Sequence, residues 1–311
     1  LYYDKIDETA RSLVQDHFEP ILRDLVAKGF NTMVEVSPRR VTDGWCRLLA
    51  PPGNQRSDME VLRRLTDATG IHFVVSTGYY VEASRPAEFA VMSVEALAKS
   101  MISDIDKGIE DTGVKAGIIK VALDDPDSAS DQKLLKAAAL AQRETGVSIT
   151  THACNPSVRK FVANTLQEAG VPAGRIIIGH ADSGSSLEET LELAKTGCYL
   201  LYTIWGITGP ITDPSNPELP VDNGFHLPRY FSSYLARELA DEGYLDQLMV
   251  SVDYYIDIAG GAVRRSIAHM PERDTRYINN FITPTLQRIG FSPEELQTVV
   301  HDNPLKSLLR E

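Results

Sequence analysis

Residues 112–122 read TGVKAGIIKVA, and residues 145–153 read TGVSITTHA. In both stretches a helical pattern ends at a glycine, the residue that most easily takes the left-handed C-cap conformation, and a short β-branched run follows. The step recurs along the chain and gives seven helix-to-strand transitions, at Gly29, Gly70, Gly113, Gly146, Gly170, Gly197 and Gly243. This punctuation predicts an alternating α/β fold.

Helix starts and strand composition agree with this alternation. Continuous apolar runs, such as RIIIG at 175–179, favour parallel strands that helices cover on both faces. Three predicted helix starts carry capping boxes, formed by Ser57 with Glu60, Ser186 with Glu189, and Ser292 with Glu295.

The two ends of the pattern favour a closed barrel. The first element, from about Asp7 to Gly29, is a helix leading into a strand, so a βα series is expected to have a further strand upstream of residue 1. The last glycine, Gly290, precedes a helix, as if the sheet had closed. We therefore predict a (β/α)8 TIM barrel, a single N-terminally incomplete domain over residues 1–311. An open doubly wound sheet is the alternative, but its Gly-rich phosphate turn, GxGxxG, does not occur.

Composition narrows the class of partner. The net charge of −12, with dispersed Lys and Arg, argues against binding to nucleic acid or an anionic membrane. No apolar run approaches the roughly 20 residues of a membrane helix. We expect a small-molecule substrate and leave a homodimer open. A reducing compartment, the cytoplasm, is expected because the three cysteines lie far apart and form no CxxC pair: Cys46, Cys154 and Cys198.

Barrel enzymes carry their chemistry at the C-terminal ends of strands. A lone His at such a position is as readily structural. Two His, an Asp and a Lys at equivalent heights form a convergent ring, which is costly to bury without a cation, and imidazole and carboxylate are ligands for zinc and similar divalent metals. The polar residues that end the predicted strands here are Glu35, Tyr79, Tyr80, Lys120, His152, His180 and Asp253.

Lys120 is the unusual member of this ring. A protonated ammonium would repel a metal, so Lys120 belongs to a metal site only if its amine is neutral or chemically changed. A neutral amine can add CO2 to become a carbamate, an anion with two oxygens that bridge two metals. The alternative is a lysine that extends to the rim or pairs with Asp124 or Asp125.

Five segments resemble the phosphotriesterase family of the amidohydrolase superfamily, and the resemblance covers nearly the whole chain: GVKAGIIK, ITTHA, IIIGHADSG, RSDMEVLRRLTDATGIHFVVSTGYY and LMVSVDYY. The resemblance implies that Lys120 is a carboxylated bridging lysine and that His152 and His180 bind the more exposed metal. It further implies that Asp253 binds the buried metal and accepts a proton. An HxH motif on the first strand is implied too, and none occurs in these residues, which coincides with the expected upstream strand.

Two departures from the family concern the substrate. Family lactonases carry an Asp-Arg pair after the seventh strand, where Thr203 and Ile204 stand here. The family Asp three residues beyond the sixth-strand His is Ser183, with Asp182 one place earlier. Both changes put specificity for acyl-homoserine lactones in doubt.

Other residues have weaker signals. Tyr80 matches a family tyrosine near the bridging water, which implies an oxyanion-facing role. Cys154, two residues after His152, is a candidate ligand, although a small buried thiol is the commoner explanation. The Pro-rich segment 209–228 is predicted to be a loop over the barrel mouth. The predicted substrate contacts are Trp205, Phe225 and His226.

Together these observations predict a binuclear metal-dependent hydrolase. A metal-bridging hydroxide is expected to attack a lactone, carboxylic ester or phosphotriester while Asp253 collects the proton. The predicted cofactors are two divalent metal ions, with zinc expected, and a carbamate on Lys120. One alternative is a Schiff-base lyase using Lys120, which does not explain His152, His180 and Asp253 together. The other is a non-catalytic ligand-binding barrel with a degenerate metal site.

Overall fold

The computed structural model describes residues 2–3, 7–37, 58–153, 155–205, 212–213, 216–220, 231–254, 256–259, 261–265 and 274–310. The strands are β1 (Tyr2–Tyr3), β2 (Thr32–Glu35), β3 (His72–Tyr79), β4 (Ile118–Ala122), β5 (Ile149–His152), β6 (Ile176–Gly179), β7 (Tyr199–Tyr202), β8 (Thr212–Asp213), β9 (Asn216–Pro220), β10 (Leu248–Val250), β11 (Ile256–Ala259) and β12 (Ala262–Arg265). The α-helices are α1 (Glu8–Ala27), α2 (Met59–Thr69), α3 (Ala87–Val91), α4 (Val94–Asp106), α5 (Ala129–Thr145), α6 (Pro156–Glu168), α7 (Leu187–Ala194), α8 (Phe231–Asp241), α9 (Thr283–Arg288), α10 (Pro293–Gln297) and α11 (Asn303–Leu308).

A seven-stranded parallel sheet organises the fold. Its order is β10-β7-β6-β5-β4-β3-β2, so strands that follow one another through a helix also lie side by side. All seven predicted strands are present, and the predicted α/β class is confirmed. The eighth strand and the closure of the barrel stay predictions.

The predicted helix boundaries have the expected local causes. Helices α2 and α5 end at Gly70 and Gly146, whose φ angles of 77° and 73° place them in the left-handed region. The capping boxes at the starts of α7 and α10 are confirmed. The N-cap of α2 is Asp58, whose side chain accepts from Glu60 N, whereas Ser57 lies outside the described residues.

The two faces of the sheet bury different residues. On β4, Ile119 and Val121 face the main core, which the sheet forms with the surrounding helices. Ile118 belongs to a separate small apolar cluster with Ile177 and Met249, from β6 and β10. Because side chains alternate along a strand, Lys120 shares the face of Ile118. The polar strand ends therefore lie beside an inner apolar layer.

Short strands outside this sheet were not predicted. β1 pairs with β11, which forms a hairpin with β12. The Pro-rich segment contains a second hairpin, β8 with β9, while Phe225 and His226 lie outside the described residues. Such short strands carry too little periodicity to be recognised before their partners are known.

Across the described ranges, none of the helices has the length and apolar character that a membrane crossing requires.

Candidate active site

Four strand ends bring their polar side chains together. His152 ends β5, and His180 follows β6 directly; Nδ1 of His152 lies 2.7 Å from Nε2 of His180. Asp253, beyond β10, places Oδ2 3.8 Å from the same Nε2. The hydroxyl of Tyr80, after β3, lies 3.2 Å from Nδ1 of His152. The structure thus groups four of the predicted site residues.

Lys120 lies on β4 between the strands that carry these residues. Its side chain is buried, with 8% of the residue exposed, and Nζ donates to the Thr151 carbonyl on β5 at 3.2 Å. Burial favours a neutral amine over an ammonium. The position therefore suits the neutral or modified lysine that the predicted metal site requires.

His152 is held in its neutral form. Burial, followed by the nearby His180 and Lys120, lowers the pKa of His152 well below its usual value, while Asp253 acts in the opposite direction. A neutral imidazole presents a lone pair, which metal binding needs.

Two of the grouped residues have strained backbones. His180 and Asp253 have φ angles of 56° and 50°, in the left-handed region that costs a residue other than glycine about 1–3 kcal/mol. Gly179 precedes His180, and a Cβ built on it would lie 2.2 Å from the Thr151 carbonyl oxygen. Only glycine allows β6 to approach β5 this closely, so the two histidines can meet.

A buried arginine joins the ends of β3 and β4. Arg85 donates to the carbonyls of Tyr80 and Ala122, at 2.9 and 3.1 Å, and to Ser130 Oγ at 2.6 Å. It also forms an ion pair with the buried Asp131 on α5. We call these five residues the Arg85 network.

A second buried arginine joins the ends of β5 and β6. Arg159 on α6 donates to the carbonyls of Ala153 and Ala181, at 2.9 and 3.0 Å. These carbonyls belong to the residues directly after His152 and His180. Arg159 also donates to the Ser183 carbonyl and the Ser185 hydroxyl. The Arg159 network consists of Arg159, Ala153, Ala181, Ser183 and Ser185.

A buried carboxylate organises the end of β7. Asp182 accepts from the backbone N–H groups of Thr203 and Ile204, both at 3.0 Å, and from Ser232 Oγ at 2.7 Å. Burial raises the pKa of Asp182, although these three hydrogen bonds oppose the rise. Thr203 Oγ1 in turn lies 2.6 Å from Nδ1 of His180.

The sequence pattern identified Asp182 and Thr203 only as departures from the family, and it did not identify Arg85 or Arg159. Strand-end position was the available signal for the first two residues. The arginines carried no comparable signal, since each lies outside the strands and acts by reaching across two of them.

Three other candidates lie away from this group or outside the residues that the structure describes. Glu35 accepts from Ser37 N at 3.2 Å, in the turn directly after β2. Trp205 is completely buried in the main core, and its indole N–H donates to the Tyr202 carbonyl at 3.1 Å. The contact of Trp205 with substrate stays a prediction. Cys154 lies outside the described residues.

Among the residues that the structure describes, Lys120 is needed to complete the donor set for a cation. Within the ranges that the structure describes, His, Cys, Asp and Glu side chains nowhere form a group of three able to hold a metal unaided. The 2.7 Å approach of the two imidazole nitrogens nevertheless directs two suitable donors to one place. A carbamate on Lys120 would add the anionic oxygens that this set needs.

Fold and site define the class: an α/β protein of parallel strands whose ends gather histidine, aspartate and a buried lysine. The chain belongs to the phosphotriesterase family, whose model matches residues 20–308. Aryldialkylphosphatase of Saccharolobus solfataricus is 30% identical over 255 residues, covering 80% of this chain and 76% of that protein. N-acetyltaurine hydrolase of Homo sapiens is 32% identical over 251 residues, covering 79% and 68%. The family and both relatives support a hydrolytic enzyme.

Solved structures share the fold. The phosphotriesterase homology protein from Escherichia coli, complexed with phosphate in its active site, matches with a TM-score of 0.75 and 24% identity, covering 98% of this chain and 91% of that one. A triple mutant of organophosphorus hydrolase from Deinococcus radiodurans matches with a TM-score of 0.80 and 23% identity, covering 98% and 86%. At these identities the likeness concerns the fold alone.

Proposed function

We propose that this chain is a binuclear metal-dependent hydrolase that cleaves a carboxylic ester, lactone or phosphotriester. The observation that carries the proposal is the convergence of His152 and His180, with their nitrogens 2.7 Å apart, on the carboxylate of Asp253. Lys120, buried on the adjacent strand, completes the set as a carbamate. A Schiff-base lyase would need Lys120 alone and leaves the other three residues unexplained.

Divalent metals at such a site lower the pKa of water and polarise a C=O or P=O bond. His152 and His180 would hold one metal through Nδ1 and Nε2, the two nitrogens that face each other. Lys120 and Asp253 would hold the second metal.

The other tasks fall to side chains at the opening of the site. Asp253 is 40% exposed, so a substrate can reach it, and its carboxylate is suited to receive the proton released during hydrolysis. The Tyr80 hydroxyl, 3.2 Å from His152, is suited to donate to the developing oxyanion. Asp253 and Tyr80 thus have different roles in the reaction.

The relatives favour a second substrate class. N-acetyltaurine hydrolases are named for an N-acylated amine, whereas aryldialkylphosphatase is named for a phosphate ester. An N-acyl amide is therefore the second candidate. Thr203 and Ile204, where family lactonases carry Asp-Arg, argue against acyl-homoserine lactones in particular.

Metal content tests the proposal directly. Wild-type protein purified without chelator is expected to hold about two zinc ions per chain by plasma emission analysis. Lys120→Ala is expected to lose metal and hydrolytic activity, with partial recovery when a short carboxylic acid supplies the missing anion. Lys115→Ala is the matched control, because Lys115 is exposed and lies just before the same strand.

Two outcomes would contradict this assignment. Wild-type protein that retains no metal would exclude the binuclear site. A covalent adduct on Lys120, trapped by borohydride with a carbonyl substrate, would favour the lyase.

The role of Asp253 is tested by Asp253→Asn, which removes the proton acceptor. We expect kcat to fall by about 10²-fold or more on every substrate that the wild type cleaves. Steady-state kinetics on aryl esters, lactones, phosphotriesters and N-acetyl amides would measure the change and identify the preferred class. Asp246→Asn is the control, since Asp246 is exposed just before β10, at the opposite end from Asp253. Full activity of Asp253→Asn on any good substrate would refute the assigned role.

A further inference from the structure

The ring of His180 is contacted at both of its nitrogens. Nε2 faces Nδ1 of His152 at 2.7 Å and Oδ2 of Asp253 at 3.8 Å. On the other edge, Nδ1 lies 2.6 Å from Oγ1 of Thr203. The contact with Thr203 is therefore placed to decide which nitrogen carries the hydrogen.

Thr203 is held in place independently of the histidine. Its backbone N–H donates to Oδ1 of Asp182 at 3.0 Å, and the next N–H, of Ile204, donates to Oδ2 at the same distance. Ser232 donates to Oδ2 as well, at 2.7 Å. Because Asp182 is completely buried, this carboxylate fixes the turn after β7 from which the Thr203 hydroxyl projects.

The backbone of His180 makes such support necessary. With φ at 56°, the residue has left the extended conformation of β6, so the strand itself no longer sets the direction of the ring. The hydrogen bond to Thr203 links the ring to the neighbouring strand end instead.

A neutral imidazole has a hydrogen on only one nitrogen. If Thr203 Oγ1 accepts a hydrogen from Nδ1, then Nε2 has a lone pair directed toward His152 and Asp253. If the hydroxyl donates to Nδ1, then Nε2 carries the hydrogen and cannot bind a metal. The two arrangements have opposite consequences for the site.

We propose that Thr203 is a positioning residue: it accepts the Nδ1 hydrogen of His180 and so directs the lone pair of Nε2 into the site, while Asp182 holds Thr203 in place. The inference rests on the proposed function, in which Nε2 binds a metal. Partners of this kind, which contact the outer nitrogen of a liganding histidine, typically alter metal affinity by about 10–100-fold. Here the partner of the ring is a neutral hydroxyl, and the buried Asp182 carboxylate contacts the backbone N–H of the same threonine.

Two variants of Thr203 separate its hydroxyl from its shape. Thr203→Val keeps the volume and the backbone bond to Asp182 but removes the hydroxyl, whereas Thr203→Ser keeps the hydroxyl. Zinc release to a chromogenic chelator is expected to be about 10–100-fold faster in Thr203→Val and within about threefold of wild type in Thr203→Ser. Thr69→Val is the control, because Thr69 is a buried threonine on α2 whose hydroxyl donates to the Leu65 carbonyl.

Nitrogen-15 NMR of the metal-free protein provides a readout that needs no zinc. The wild type is expected to show His180 with hydrogen on Nδ1, and Thr203→Val is expected to populate the other tautomer. Hydrogen on Nε2 in the wild type would overturn the inference.

The possible failures are distinguishable. If the wild type holds zinc and Thr203→Val releases it no faster, the inference is overturned and the proposed function stands. The same conclusion follows if Thr203→Ser releases zinc as fast as Thr203→Val. Wild type that binds no zinc overturns the proposed function, and with it the metal-positioning role of Thr203.

Discussion

Arg85 and Arg159 make similar hydrogen bonds at different strand ends of the parallel sheet. Each is a buried guanidinium that gathers carbonyls from two adjacent strands, β3 and β4 for Arg85 and β5 and β6 for Arg159. They differ in what surrounds the charge. Arg85 is paired with the buried carboxylate of Asp131, whereas Arg159 donates to carbonyl and hydroxyl oxygens beside the two histidines.

This difference separates support of the fold from support of the site. Asp131 also accepts from the backbone N–H groups of Asp124 and Asp125, so it holds the loop between β4 and α5 in addition to Arg85. The carbonyls of Ala153 and Ala181 lie one residue from His152 and His180, so Arg159 links the two segments that carry the histidine pair. We expect loss of Arg85 to reduce stability most, and loss of Arg159 to disturb metal binding most.

The largest effect on stability is expected from Arg85→Met. The substitution leaves Asp131 buried without its ion-pair partner, which typically costs about 3–5 kcal/mol. Urea unfolding followed by circular dichroism would measure the change in the free energy of unfolding. Arg23→Met is the control, because Arg23 pairs with Glu19 on the exposed face of α1, where we expect no measurable change. A loss from Arg85→Met as small as that of Arg23→Met would mean that the buried pair contributes little.

A smaller loss of stability is expected from Arg159→Met, about 1–3 kcal/mol, because it leaves buried carbonyls unpaired. Its zinc release, however, is expected to be about tenfold faster than that of wild type and faster than that of Arg85→Met. Ser185→Ala, which removes one partner of Arg159, provides the graded comparison, with about 1 kcal/mol lost and zinc release close to wild type. If the zinc-release rates of all three variants simply followed their stabilities, the two networks would not differ in role.

Much of the fold and the centre of the site were predictable from local patterns. The glycine stops and β-branched runs located all seven strands of the parallel sheet. Parallel strands bring their C-terminal ends to one edge, so the final polar residue of each run was a candidate by position alone. His152, His180 and Asp253 were found in this way, and the structure groups them.

The direction of the Trp205 side chain could not be predicted from its position after a strand. Trp205 lies three residues after Tyr202, the last residue of β7, and the structure buries it in the main core, with its indole N–H donating to the Tyr202 carbonyl. A residue beyond the end of a strand is no longer bound by the alternation of the strand. Its direction depends on the packing of the neighbouring helices, which local sequence does not encode.

The sequence by itself determined the order of helices and strands and the chemistry available at each strand end, because backbone periodicity and glycine conformations are local properties. The tertiary structure alone decided how those side chains are held. Arg159 reaches two strands from α6, and Asp182 fixes Thr203 from the end of the preceding strand. These contacts join residues 6 to 22 positions apart in the chain. A hydrogen bond forms only when packing brings donor and acceptor within about 3 Å.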